Sequence, residues 1–171
     1  MQIVELFPFE QTDEIRQRYE AWISGMVHKD VADVRNDPVA FVHPTKPLAE
    51  CRLGLVSTGG IHLRSQQPFD IVDPDGDWTV REIPTATPAA EIAITHSHYN
   101  HTDADEDINC IFPIERLHDL VAAGFLGSLT DVFFGMMGFI PNGTHVSDDA
   151  APQIVQRLSE EGAEVVLLSA G

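Results

Sequence analysis

AEIAITHSHYNHTDADEDINCIFPIERL, residues 90–117, reads in turn as strand, loop and helix, and that order decides the fold class. The apolar run up to Thr95 is short and rich in isoleucine, as a core strand is. The loop after it carries His96, His98 and His101 and the carboxylates Asp103, Asp105, Glu106 and Asp107, with Glu115 further on. Ionisable groups are costly to bury without partners, so a cluster of them at a strand end is poor packing material and good site material. From Ile114 the spacing turns helical, and Gly124 is a suitable C-cap for a helix over residues 114–123.

The same alternation extends outward in both directions. Residues 52–56 read as an apolar strand ending in Ser57-Thr58-Gly59-Gly60, and residues 129–134 and 165–168 as further core strands. Residues 79–83 form a shorter strand after the turn-rich segment 70–78, where Pro74-Asp75-Gly76-Asp77 is a strong turn signal. Helices are expected over residues 12–34 and 150–161, the second capped by Gly162. A Pro-rich connection spans residues 36–47. Strands apolar on both faces, alternating with helices, indicate a mostly parallel sheet covered on both sides. The expected architecture is therefore a three-layer α/β domain of doubly wound type. It is one domain over residues 1–171, with an N-terminal helix and connection (1–50) and an α/β core (51–171). In such sheets ligands bind beyond the carboxyl ends of the strands. The helix that would cover residues 165–168 is absent, so the sheet is expected to be cut off after its fourth core strand. An uncovered apolar strand there favours association.

Composition narrows the function. The net charge of −17 argues against nucleic-acid and anionic-membrane partners, which demand a basic face. Cys51 and Cys110 are the only cysteines, too few for a disulfide framework, and both read as packing residues. With no apolar run long enough to span a bilayer and no signal-peptide layout, a cytoplasmic location is expected.

Three chemical readings attach to the site edge. His96-x-His98-x-x-His101, with Asp103, has spacings found in zinc sites. It resembles the HxHxDH signature of metallo-β-lactamase-fold hydrolases, except that Asn100 stands where that family carries an aspartate. The alternative is that these histidines cap strand and helix ends. Thr58-Gly59-Gly60 looks like a backbone cradle for a carboxylate, with His62 and Arg64 following on the same loop; a tight βα turn explains it equally well. Asp107 and Asn109 are candidates to face the same cleft.

Five blocks in register carry a wider resemblance: LVSTGGIHLRSQQPFD (55–70), DWTVREIP (77–84), ITHSHYNHTDADEDINCIFPIERL (94–117), GFLGSLTDVFFGMMGFIP (124–141) and VVLLSAG (165–171). Together they resemble the glycine/sarcosine/betaine/D-proline reductase selenoprotein B family over about two-thirds of the chain. The resemblance implies reductive C–N cleavage of an amino acid or N-methyl amino acid, with thiol/disulfide electron transfer. It implies a selenocysteine or cysteine in the loop after the last strand, beyond Gly171. It also implies a pyruvoyl-type partner subunit and a thiol redox protein. A non-catalytic paralogue that binds a small amino-acid-like ligand is the rival reading, and a hydrolase using a zinc-like divalent metal is the other.

Overall fold

The computed structural model describes residues 42–171; the helix expected over residues 12–34 and the first half of the 36–47 connection lie outside them. The chain divides into the units Met1–Val42 and His43–Gly171, and the elements below belong to the second.

The central strand is β1 (Arg52–Ser57), whose residues are almost all buried. The short strands β2 (Ile61–Leu63), β3 (Arg81–Pro84) and β4 (Ile92–Ile94) come after it, then helices α1 (Thr102–Glu106) and α2 (Ile114–Ala122). Strands β5 (Ser128–Leu129) and β6 (Val132–Gly135), helix α3 (Ala151–Glu160) and strand β7 (Val165–Ser169) complete the unit. β1 pairs in parallel with β5 at its start, with β6 at its end, and with β7 from Leu53 to Ser57. β3 adds antiparallel to β6, so the sheet is mixed but mostly parallel. The expected α/β class and mostly parallel sheet are what the fold has.

Alternate residues on β1 and β6 feed two cores, as the period of a strand requires. Leu53, Leu55 and Phe133 join Ile83, Phe112, Ile114 and Leu117 on one face. Val56 and Phe134 join Ile154 and Leu158 of α3 on the other. Helices α2 and α3 sit near their expected positions and both expected caps hold, Gly124 and Gly162 having φ of 74° and 70°, whereas α1 forms in a stretch read as loop. A π-turn, Val146–Ala150, precedes α3.

One strand is placed differently from expectation. Residues 92–94 do not enter the central sheet; β4 pairs antiparallel with β2 in a separate two-stranded sheet. The cause is Gly60, whose φ of 74° reverses the chain after β1, so that 61–63, expected as loop, becomes a strand. The two-stranded sheet then lies across the central one. At Gly135 the Ile61 carbonyl occupies the space a Cβ would need.

Candidate functional site

The carboxyl end of β1 meets three other segments. The Thr58 N–H donates to the Ser169 carbonyl at the end of β7 (3.0 Å), and the Gly60 N–H to the Met136 carbonyl just past β6 (2.8 Å). The Thr95 N–H donates back to Gly60 (2.9 Å), which fixes the start of the histidine loop against the same turn. Beneath them the buried Ser57 hydroxyl donates to the Ile111 carbonyl (3.1 Å) and accepts the Gly59 N–H (3.2 Å). Four loops thus converge on one edge of the sheet, as the strand order predicts.

On this floor stand His96 and Tyr99. Their rings meet edge to face at 4.7 Å, and the Tyr99 hydroxyl donates to the Gly59 carbonyl at 2.9 Å. The chain leaving β7 passes directly under that tyrosine. A Cβ on Gly171 would lie 2.6 Å from the Gly59 Cα and 2.9 Å from the Tyr99 ring, so two glycine backbones cross here with no space for side chains. A Cβ on Gly138 would lie 3.0 Å from the Thr58 carbonyl oxygen and 3.2 Å from His96 Nε2, and His98 stacks on Phe139 at 3.7 Å.

The electrostatics follow from burial. His96 is 8% exposed and has a backbone N–H aimed at each ring nitrogen: His98 at Nδ1 (3.0 Å) and Gly138 at Nε2 (3.2 Å). A neutral imidazole has a single in-plane lone pair and accepts from one of these at a time, while a protonated ring accepts from neither. Burial, then the neighbouring His98 and His101, lowers the His96 pKa below its ordinary value. Burial, with Asp105 nearby, pushes the Tyr99 hydroxyl up to about 12, so its proton stays on the bond to Gly59.

The sequence-derived candidates separate into three groups. Thr58, Gly59 and Gly60 stand at the carboxyl end of β1, but their N–H groups are engaged by Ser169, Ser57 and Met136, so the turn works as a junction. His62 lies under the cleft on β2, 3% exposed. Its Nδ1–H donates to the Leu63 carbonyl, leaving Nε2 to accept from the Thr95 hydroxyl, both at 2.8 Å. Asp107 and Asn109 belong to a cap. Asp107 accepts from the backbone and side-chain amides of Asn109, and Asn109 bridges to Glu115 at the start of α2. These bonds to Asn109 hold the Asp107 carboxyl below the usual carboxylate range.

Asp107 also lines a cavity of about 410 Å³ between β4 and α1, walled by Ile92, Ile94 and Ile108 and rimmed by Arg64, Asp105, Glu106 and Glu115. None of the cleft residues lines it. The three histidines diverge: His96 turns to Gly138, His98 stacks on Phe139, and His101 pairs with Asp105 at 2.7 Å. Asp103 sits on α1. Among the described residues no three His, Cys, Asp or Glu side chains are arranged to hold a metal ion, so the zinc-like set does not fit. Cys51 is buried as expected, but Cys110 is exposed, because Ile111 and Phe112 take the inward positions after its turn. Tyr99 and Gly138 were missed by sequence reasoning. The signals for them were a tyrosine set between histidines and the glycine punctuation of residues 135–139.

The comparisons with known proteins fall on this same framework. The family model for glycine/sarcosine/betaine reductase selenoprotein B matches residues 28–171. The chain belongs to that family. D-proline reductase subunit gamma of Acetoanaerobium sticklandii is 32% identical over 134 residues, covering 78% of this chain and 54% of that subunit. Glycine reductase complex component B subunit gamma of Symbiobacterium thermophilum is 25% identical over 135 residues, covering 74% of this chain and 30% of that protein. The chain therefore spans about half of the first relative and under a third of the second. No solved structure matches it. Among the described residues no helix is long and apolar enough to cross a membrane.

Proposed function

We propose that this chain is a subunit of a reductase that cleaves a C–N bond of an amino acid or N-methyl amino acid. The cleavage takes two electrons and two protons from a thiol pair, which becomes a disulfide. The redox selenocysteine or cysteine belongs in the loop after β7, working with a pyruvoyl-type subunit and a thiol redox protein in the cytoplasm. The sheet is then the first part of a doubly wound domain.

The observation that carries this reading is the glycine crossing of Gly59 and Gly171, which brings the end of β7 beside the Tyr99 ring and its neighbour His96. A nucleophile emerging there would meet the His96 and Tyr99 side chains. A thiolate or selenolate is the attacking species such chemistry needs. The test is to read the gene past codon 171 and assay the product of the full reading frame with glycine, sarcosine, betaine and D-proline, using dithiothreitol as reductant. An in-frame cysteine or UGA codon, with turnover of one of these substrates, is expected. A reading frame that ends with neither codon would sink the proposal.

A further inference from the structure

Arg64 stands apart from the other cations. Among the described residues Lys46, Arg52, Arg81, Arg116 and Arg157 each form an ion pair, as expected in a chain with 27 acidic and 10 basic residues. Arg64 forms none among them, and its guanidinium is held by one bond, from Nε to the Ala90 carbonyl at 2.8 Å. It lines the cavity of about 410 Å³ between β4 and α1 together with the carboxylates of Asp105, Glu106, Asp107 and Glu115. Three of these are engaged elsewhere: Asp105 by His101, Asp107 by Asn109, and Glu115 by Asn109 and Arg116. Glu106, like Arg64, has no side-chain partner among the described residues. The rest of the lining is isoleucine and alanine, with Ile92 buried and Ile94 and Ile108 half-buried. A cavity of this size, mostly apolar and with a few polar groups to orient a guest, is what a small-molecule site requires.

We propose that this cavity binds a small zwitterion with a branched aliphatic body, of which leucine is the model. Its carboxylate pairs with the terminal nitrogens of Arg64, whose planar fork suits two parallel bonds. Its ammonium faces Glu106, and its body covers the isoleucines. An aliphatic acid without the ammonium would bring negative charge to a rim of four carboxylates and one arginine. An aliphatic amine would leave Arg64 as unpartnered as before. The lining falls wholly within residues 64–115, so the end of β7 forms none of it, and Tyr99, which the Gly171 backbone approaches, is not part of it either. The site is thus separate from the proposed nucleophile and does not rest on the reductase reading.

The test is an amide NMR titration of the 171-residue chain with L-leucine. Shifts are expected at residues 92–94 and 104–108, with none at Gly138. Arg64→Ala and Glu106→Gln, both at exposed positions, should each weaken binding by about tenfold. Isocaproate and isoamylamine, which each keep the branched body and one charge, should bind about tenfold more weakly than leucine, as should glycine, which has no body. An absence of shifts up to the solubility limit of leucine overturns the proposal. Equal binding of isocaproate overturns it too, since Glu106 would then have no part, and equal binding of isoamylamine would remove Arg64 in the same way. The product of the full reading frame should give the same shifts; their loss there would mean that the chain's own continuation fills the cavity, and would overturn the proposal. A failed reductase assay leaves the titration unaffected, so the two proposals fail separately.

Discussion

The histidine-bearing start of residues 95–117 and its carboxylate-bearing remainder have opposite fates. The first half, through Tyr99, is tied to the sheet edge by Thr95 and Gly60 and ends with His96 and Tyr99 over a floor of glycine backbone. In the second half, from Thr102 to Glu115, the apolar residues enter the core and the polar side chains pair among themselves and with His101. His101 pairs with Asp105, Asp107 holds Asn109, and Asn109 holds Glu115. Charge density alone therefore does not mark a site. What separates the halves is whether other segments are forced close to them, and glycine is the residue that permits this.

The largest effect should come from closing that approach. In Gly60→Ala the new Cβ would overlap the Thr95 carbonyl, and the residue keeps a φ of 74°. The expected destabilisation is about 3 kcal/mol in urea unfolding, combining overpacking with backbone strain. Gly124→Ala at the end of α2 has the same φ and no heavy atom within 4 Å, so about 1 kcal/mol is expected there. Equal costs would mean that the cleft is no tighter than an ordinary helix end.

Next in size are the histidines. His96→Ala removes a buried ring packed against Tyr99 and should cost about 2 kcal/mol. His101→Ala breaks a half-exposed contact with Asp105 and should cost about 0.5 kcal/mol or less. If the order were reversed, the cap side of the stretch would be the structural one. Asn109→Ala falls between the two, at about 1 kcal/mol, because the Glu115 N–H at the start of α2 loses its side-chain acceptor. The loss should appear as faster amide exchange in the first turn of α2, with none at β1.

These effects bear on how much the sequence could disclose. The strands at 52–56 and 129–134, and the helix from Ile114, were legible because apolar periodicity reflects burial directly, whereas the strand at 165–168 was legible from its apolar run although Val166, Leu167 and Leu168 are exposed. The break at Thr130-Asp131 that divides β5 from β6 was not, since buried Thr130 bonds back to Val132 and reads in sequence as one more strand residue. Nor was the displacement of 92–94 into a second sheet, which depends on one positive φ at Gly60. The convergence of four loops followed from strand order. Which side chains enter the cleft did not, because engagement of the Thr58, Gly59 and Gly60 amides and the close approach of Gly171 to Tyr99 are tertiary facts.

The finest distinction between the halves lies in their response to pH, where the signs oppose. The Tyr99 pKa is raised to about 12 by burial and Asp105, so its contribution to stability is whole below the ordinary tyrosine value near 10 and is lost as pH rises through about 12. Asp107 is lowered by its bonds to Asn109, so its contribution is present above the ordinary value of 3.8 and is lost as pH falls below it. Ultraviolet titration should therefore resolve a late tyrosinate step that Tyr99→Phe removes. An acid titration of the Asp107 carboxyl by NMR should show a depressed midpoint that Asn109→Ala returns towards 3.8. If Asn109→Ala shifted the tyrosine step instead, the two halves would be one coupled network, and the boundary drawn between cleft and cap at residues 100–102 would be misplaced.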